Sequence, residues 1–285
     1  MRFFELLKAD SASRAEFLEA YKVLRGFPRS DFSIADKLKL ESDLDNHTSH
    51  IDVSGAIVET REHPNLIRVL RIVCGEMNIP VTCFHGSKNR DFIQKLVAKE
   101  EFASSVSLIN LNCEDLTGPQ YNGLLMSEKF WSNLPSSRKV LIFQTDSTIC
   151  KRSRDALKKF LSFDYIGSWI PQPRPIGITI DGGNGGLSMR DRLLSIRAIR
   201  SGVPARWPGA EDEYFATHIQ AIGGKVASEV EQSLFSAQSK LVGTPFGSHN
   251  PEGLRRSEFV RLLFQCPSAI FIHRGRIGRL LGISN

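Results

Sequence analysis

The most informative stretch of this 285-residue chain is Lys139-Val140-Leu141-Ile142-Phe143-Gln144-Thr145-Asp146-Ser147. The first five have the apolar pattern of a buried strand, and a lone carboxylate, Asp146, follows where that strand should end. In open α/β sheets, ligands bind beyond the carboxyl ends of the strands. A carboxylate there can hold a hard cation, which in turn can hold a diphosphate. The alternative is a turn or a helix N-cap, because Asp and Ser are also preferred capping residues.

The flanking sequence alternates between strand and helix patterns. Strands are predicted at 53–59, 80–84, 106–111 and 139–143, and helices at 66–77, 91–99 and 117–134. Helical crossovers between successive strands imply a mainly parallel sheet. The sequence therefore predicts an α/β fold, with a mixed, mainly parallel sheet flanked by helices.

The two ends of the chain differ from its middle. Residues 1–50 are charged and have helical spacing, which predicts an N-terminal helical extension. No clean boundary interrupts 51–270, so one domain is expected there, followed by a basic tail at 271–285. Residues 251–285 hold six Arg against two Glu, in a chain whose net charge is +6. Such a cluster suits an anionic ligand, a membrane surface or nucleic acid, but most often it is a solvated surface.

The cysteines and the apolar runs bear on where the protein works. The five cysteines are odd in number and show no metal-ligand spacing, which favours buried thiols in a reducing compartment. The N-terminus does not have the pattern of a secretory signal, and the apolar run 269–272 is too short to cross a bilayer. We therefore expect a soluble, cytoplasmic protein with no transmembrane segment.

Three later segments carry residues that are suited to chemistry. The glycine-rich segment 182–186 lacks the ending of a Walker loop; it either lets the backbone approach a ligand or forms a surface loop. Glu211-Asp212-Glu213 opens a predicted helix that runs to about residue 222, where carboxylates either cap the helix or supply a general base. His249 lies in a Gly/Pro/Ser-rich loop, where an imidazole is a metal ligand or, more commonly, a solvated side chain.

The order of these motifs resembles the layout of GT-A glycosyltransferases, and more closely an uncharacterised GT-A-like family catalogued as a domain of unknown function. The resemblance covers about residues 53–267. Its matching pieces are 58–64, His85-Gly86 with Asn89, Leu116-Thr117 with Tyr121-Asn122, Phe130-Trp131, 143–147, 164–167, 184–188, Glu211-Asp212 and 245–249. It implies a GT-A-like, Rossmann-type fold.

The resemblance also implies a metal site and a base. The family's Asp-X-Asp motif falls on Gln144-Thr145-Asp146, so its first acidic position is Gln here. Asp146 and the late histidine, His249, are the implied ligands of Mn²⁺ or Mg²⁺. Asp212 matches the position of the base in inverting members. The loss of one carboxylate at Gln144 is expected to weaken metal binding.

The remaining implied positions bind the donor. Thr60 and Arg61 would meet the nucleoside, and His85 and Asn89 would line the same pocket. Asn184, Gly185 and Gly186 would hold the sugar. The implied donor-binding set is completed by Asn122, Gln144 and Thr145.

The resemblance therefore implies a metal-dependent, inverting transfer of a sugar from a nucleotide-diphosphate donor, with a UDP-sugar favoured. The acceptor would be a hydroxyl of a glycan, a protein or a small molecule. Two other functions stay open. One is nucleic-acid binding through the Arg/Gly tail at 274–279, although the tail has few charges and nucleic acid is not the expected partner. The other is an inactive binding module of the same fold, which Gln144 favours.

Overall fold

The computed structural model describes residues 29–39, 52–171, 182–207 and 209–281. The strands are β1 (Val53–Glu59), β2 (Val81–His85), β3 (Val106–Asn110), β4 (Lys139–Phe143), β5 (Ser147–Ile149), β6 (Tyr165–Ser168), β7 (Asn184–Asp191), β8 (Ser236–Ala237) and β9 (Gly247–His249). The α-helices are α1 (Ser33–Lys37), α2 (Leu66–Leu70), α3 (Arg90–Val97), α4 (Gly118–Leu125), α5 (Glu128–Ser132), α6 (Leu157–Phe160), α7 (Arg192–Ser201), α8 (Glu211–Ala221), α9 (Glu229–Phe235), α10 (Arg256–Gln265), α11 (Ala269–Ile272) and α12 (Arg274–Leu281).

Six strands form the central sheet, in the order β3-β2-β1-β4-β7-β6. The first four are mutually parallel, whereas β7 runs antiparallel to both β4 and β6. The predicted α/β fold with a mixed, mainly parallel sheet is therefore confirmed. A smaller sheet, in the order β5-β9-β8, lies beyond the carboxyl end of β4.

Both faces of the central sheet are covered by apolar side chains. Alternate residues of β4 belong to apolar clusters on opposite faces of the sheet. Val140 and Ile142 pack in the same cluster as Trp131 and Phe215. Leu141 and Phe143 pack in the cluster on the other face. This alternation is what a strand buried on both faces requires. A third, smaller cluster joins the C-terminal helices to the small sheet through residues such as Phe259 and Leu262.

Several predicted elements differ in detail from the structure. The helix predicted at 117–134 is two helices, because Ser127 caps a new one with a hydrogen bond from Phe130 N to its Oγ. The helix predicted at 66–77 ends as a π-helix at Arg71–Glu76. Of the N-terminal extension, only 29–39 is described, and α1 is helical; 1–28 and 40–51 lie outside the described residues.

The cysteines correct one expectation. Cys150 and Cys266 form a disulfide, because the fold brings together the end of β5 and the end of α10, 116 residues apart in sequence. Cys74 and Cys83 are buried free thiols, as predicted, and burial raises the pKa of each to about 12. Disulfides are typical of oxidising compartments, so this bond does not support the reducing compartment expected from the sequence. The cytoplasmic location stays a prediction. Among the described residues, no helix combines the length and the apolar character needed to cross a bilayer.

The buried ammonium group of Lys139, the first residue of β4, joins three segments at the amino end of that strand. Lys139 Nζ donates to the carbonyl oxygen of Phe163 at 2.8 Å and lies 2.9 Å from Asp164 Oδ1 and 3.2 Å from Asp191 Oδ2. Three acceptors thus satisfy the three donors of the ammonium group. The interaction joins β4, β7 and the loop before β6.

We expect the substitution Lys139→Met to lower the free energy of unfolding by about 3 kcal/mol, because removing one partner leaves two carboxylates near the core without their counter-ion. The control is Arg200→Ala, which breaks an exposed ion pair with Glu128 and should leave the free energy of unfolding nearly unchanged. Urea unfolding followed by circular dichroism measures both values. Equal effects of the two substitutions would contradict this role of Lys139.

Candidate active site

An open pocket of about 450 Å³ lies beyond the carboxyl ends of β1 and β4. These strands are parallel neighbours in the sheet, so residues that follow them meet at one edge. The pocket has an acidic lining with three carboxylates, from Glu59, Asp115 and Asp146. Its other lining residues are Val58, Thr60, Arg61, His63, Leu116, Thr117, Gly118, Tyr121, Gln144 and Thr145.

Asp146 lines one end of this pocket and meets His249 there. The described lining does not include His249 itself, nor the expected site residues Asn122, Asn184, Gly185, Gly186 and Asp212. The chain turns after β4 and continues as β5, which pairs with β9, and this pairing brings Asp146 Oδ1 to 3.4 Å from His249 Nε2. The same imidazole nitrogen lies 3.2 Å from Gln144 Oε1. Gln238 Oε1 lies 3.2 Å from His249 Nδ1 and so fixes the orientation of the ring.

The Asp146 carboxylate is partly withdrawn from water. Its side chain is 45% exposed, but Oδ1 is buried and makes no hydrogen bond within the described residues. Burial alone would raise the pKa of Asp146, but the contact with His249 more than offsets it, so the pKa lies below its ordinary value. A buried, ionised oxygen beside an imidazole is a combination that fits a divalent cation. In the described part of the chain, no group of three or more His, Cys, Asp or Glu side chains is placed to hold a metal.

Asp212 lies in the first turn of α8 and is almost fully buried. Its Oδ2 accepts a hydrogen bond from Gly185 N at 3.0 Å, and its Oδ1 accepts one from Glu213 N at 2.8 Å. Each carboxylate oxygen has a second lone pair, so these bonds do not exhaust its capacity to accept a proton. The side chain is held against the first residues of β7.

Gly185 and Gly186 lie between Asp212 and His249. A methyl group at Gly185 would press against Asp212 Cβ at 3.0 Å, and one at Gly186 would collide with the imidazole of His249. The glycines therefore start β7 rather than a surface loop, and they let a carboxylate and an imidazole approach opposite sides of the same backbone. The structure thus brings Asp146, Asp212 and His249 together around one short stretch of chain.

Asn184 and Asn122 support this stretch from either side. Asn184 Oδ1 accepts a hydrogen bond from Gly186 N at 3.0 Å, which fixes the side chain beside the glycines. Asn122 Oδ1 accepts a long hydrogen bond, 3.4 Å, from Glu211 N at the start of α8. Asn122 is thus placed to anchor the helix that carries Asp212.

The end of β1 forms a network across the pocket floor. Glu59 is buried, and its carboxylate binds Arg61 in a bidentate manner at 2.8 and 2.9 Å. Thr145 Oγ1 donates to Glu59 Oε2 at 3.2 Å, and Thr60 Oγ1 donates to Asp115 Oδ1 at 2.7 Å. The hydrogen bonds that Arg61 donates to Glu59 raise the pKa of Arg61. Thr60, Arg61 and Thr145 therefore line the pocket at positions fixed by carboxylates.

His85 and Asn89 lie behind the pocket and are not among its described lining residues. Asn89 is fully buried; its Nδ2 donates to the carbonyl oxygens of Glu59 and Arg61, and its Oδ1 accepts from Gly86 N. His85 Nδ1 lies 2.7 Å from the carbonyl oxygen of Gly86. These two side chains shape the loop that forms the pocket wall.

Of the lining residues that were not among the site residues expected from the sequence, four have titratable side chains: Glu59, His63, Asp115 and Tyr121. The sequence position of Glu59 could have indicated a site residue, because Glu59 is a carboxylate at the end of a predicted strand, as Asp146 is a carboxylate just after another one. No sequence pattern indicated Asp115, since it lies in a polar loop. Its place in the pocket depends on the hydrogen bond from Thr60, which only the folded chain brings near it. The hydrogen bond from Thr60 lowers the pKa of Asp115, and burial lowers the pKa of His63, so the lining is predominantly anionic.

Residues 108–249 match the model of a family described as a protein of unknown function, DUF5672, which confirms the resemblance to an uncharacterised family over that range. No curated protein matches the sequence. Similar solved structures include the apo form of mouse xyloside xylosyltransferase 1, with 10% identity, a TM-score of 0.43, and coverage of 70% of this chain and 98% of that one.

Two further similar structures are of LgtC. The first, an active-site mutant, has 12% identity and a TM-score of 0.49 and covers 69% of this chain and 86% of that one. The second is the galactosyltransferase in complex with donor and acceptor sugar analogs. It has 10% identity and a TM-score of 0.48 and covers 75% of this chain and 96% of that one.

We expect Gly186→Ala to displace the His249 imidazole and to lower the free energy of unfolding by about 1–3 kcal/mol, because the added methyl group has no room. The control is Gly118→Ala, at the first position of α4, where an added Cβ meets nothing within 4 Å. Chemical denaturation gives the stability, and the NMR shifts of the His249 ring report its displacement. An unchanged imidazole environment in Gly186→Ala would contradict the packing described here.

Proposed function

We propose that this protein is a glycosyltransferase that moves a sugar from a nucleotide-diphosphate donor to an acceptor hydroxyl, with a divalent cation and with inversion at the anomeric carbon. The observation that carries the proposal is the meeting of Asp146 with His249 at one end of an acidic pocket, with Asp212 across Gly185 and Gly186 from them. The proposal assigns the metal to Asp146 and His249 and the base to the buried Asp212, three side chains that lie around a common stretch of backbone.

The charge of the pocket favours a cation-bound anion as its ligand. Three carboxylates line it, and the guanidinium of Arg61 is already committed to Glu59. A bare diphosphate would meet repulsion from this lining, and a bound divalent cation would cancel most of the diphosphate charge and so reduce that repulsion. The pocket volume of about 450 Å³ is in the range of small-molecule sites.

The donor set fits Mn²⁺ or Mg²⁺. Asp146 supplies a buried oxygen without a hydrogen bond in the described residues, and His249 supplies an imidazole nitrogen 3.4 Å from it. With Gln144 in place of a carboxylate, the protein contributes little charge, so affinity for the cation should depend on the bound diphosphate. When bound, the cation would neutralise the charge that develops on the leaving diphosphate.

The residues of the chain would hold the sugar and accept the proton. Asn184, fixed beside Gly186, is placed to hydrogen-bond a sugar hydroxyl. The acceptor oxygen would form a bond to the anomeric carbon while the bond from that carbon to the diphosphate oxygen breaks. Asp212 would take the proton that the acceptor hydroxyl loses. This single displacement, through an oxocarbenium-like transition state, inverts the configuration of the sugar.

One observation favours a second function, that of a binding module without activity. Gln144 Oε1 lies 3.2 Å from His249 Nε2, so a neutral amide occupies part of the space where a second carboxylate would strengthen a metal site. Such a module would bind the nucleotide without needing the metal. The nucleic-acid alternative gains less support, because Arg276 and Arg279 of the tail already contact Leu254 and Glu252.

The proposal predicts that UDP binds in the presence of Mn²⁺ and loses at least tenfold in affinity when EDTA removes the metal. Asp146→Asn and His249→Ala should each lower the metal-dependent affinity to a similar degree, because each removes one of two protein ligands. Isothermal titration calorimetry measures these constants. The exposed substitution Arg200→Ala serves as control and should leave them unchanged.

Binding of UDP that is independent of metal would instead support the binding module, and salt-sensitive binding of a single-stranded oligonucleotide alone would support the nucleic-acid alternative. A mass-spectrometric screen for hydrolysis of nucleotide sugars by the wild-type protein then identifies the donor. No turnover of any donor would contradict the proposed activity.

Asp212→Asn should reduce turnover by about 10²–10⁴-fold and change the dissociation constant of the donor by less than about threefold, because the amide keeps the shape of the side chain but cannot accept the proton. Steady-state kinetics with the identified donor and calorimetry with UDP give the two numbers. Normal turnover by this variant would remove Asp212 as the base, and a product that keeps the donor's anomeric configuration would exclude a single displacement.

A further inference from the structure

A closed ring of hydrogen bonds links the donor-binding glycines to the helix that carries Asp212. Arg190 donates from Nε to Ser188 Oγ at 3.1 Å, and Ser188 Oγ donates to the carbonyl oxygen of Gly185 at 2.9 Å. The Arg190 guanidinium also binds Glu211 in a bidentate manner, at 2.5 and 3.0 Å. Glu211 is followed in the chain by Asp212, whose Oδ2 accepts from Gly185 N and closes the ring.

The ring holds Gly185 by both of its polar backbone groups. The amide is bound to Asp212, and the carbonyl is bound to Ser188. The two peptide planes on either side of the Gly185 Cα are therefore fixed by side chains rather than by the strand ladder alone. Any shift of the first turn of α8 would be transmitted to Gly185.

The guanidinium of Arg190, the positively charged group of this ring, is fully buried. Arg190 has no exposed surface, and its guanidinium lies between two aromatic rings, 5.1 Å from the centroid of Tyr165 and 5.0 Å from that of Phe215. Glu211 is also buried. A buried ion pair contributes less to stability than a well-packed apolar pair would, so its presence beside Asp212 calls for another role. Geometric specificity is the role best suited to a bidentate, planar contact.

We propose that Ser188, Arg190 and Glu211 are positioning residues that set the orientation of Asp212 relative to the donor-holding Gly185. This inference deepens the proposed function and rests on it for its catalytic readout. Substitution in the ring should therefore slow turnover without weakening UDP binding, because none of these three residues lines the pocket.

The principal test is Ser188→Ala, which opens the ring but leaves the ion pair in place. Turnover should fall by about 10–100-fold, the effect expected of a misplacement of about 1 Å, while the dissociation constant for UDP with Mn²⁺ changes by less than about threefold. The matched control is Ser195→Ala. Ser195 is also fully buried, and its Oγ donates to a backbone carbonyl, that of Asp191, but it lies outside the ring. Its turnover should stay within about twofold of wild type.

A second variant separates positioning from stability. Arg190→Met combined with Glu211→Leu replaces both charges by apolar groups, which buried ion pairs often tolerate without loss of folding. We expect a folded protein with the turnover defect of Ser188→Ala or a larger one. A folded double variant with wild-type turnover would overturn the proposal and leave the pair a purely structural role.

A readout that needs no activity keeps the inference separable from the proposed function. Hydrogen exchange of the Gly185 amide, followed by NMR, should quicken by about tenfold or more in Ser188→Ala and stay unchanged in Ser195→Ala. If the wild-type protein turns over no donor, the glycosyltransferase proposal fails, while the exchange data still decide whether the ring holds Gly185. Unchanged exchange in Ser188→Ala would overturn the inference itself.

Discussion

The candidate site depends on the antiparallel pairing of β7 with β4. The register pairs Phe143 with Leu187, and just beyond it Ser147 Oγ donates to the carbonyl oxygen of Gly186 at 2.8 Å. The turn that carries Asp146 is thereby fastened to the glycines at the start of β7. The other end of the same ladder pairs Lys139 with Asp191, where the buried ammonium group joins three segments. A slip of one residue in this register would reverse the faces of the strand and separate Asp146 from the glycines.

The sequence predicted well those helices and strands whose pattern can be recognised within a few neighbouring residues. β1 and β4 have the predicted bounds, and α8 begins at Glu211, because apolar strands and acidic helix starts are recognisable within a few residues. The antiparallel β7 was harder to define, since its first residues are Asn184 and two glycines, which have low strand propensity. Their strand conformation depends on neighbours that are distant in sequence.

The same distinction applies to the site. Asp146, Asp212 and His249 were proposed from motif order, and the structure brings them around Gly185 and Gly186. Asp115 and the Cys150–Cys266 disulfide could not be foreseen, because each is defined by a partner that only the fold supplies. A resemblance places residues in an order, but it does not say which of them reach the pocket and which support its wall.

The C-terminal segment gives His249 its place. β9, which ends in His249, lies between β5 and β8, so three short strands fix the imidazole opposite Asp146. Ser268 Oγ lies 2.9 Å from Thr148 Oγ1 in β5, and His273 Nε2 lies 3.1 Å from Ser248 Oγ in β9. The segment after residue 255 therefore braces β9, which carries His249, and β5, which follows Asp146, and the buried apolar cluster around Phe259 packs behind them. In the metal site proposed above, two side chains would have little binding energy with which to order their own scaffold, so packing that is present before any ligand binds has to set their geometry.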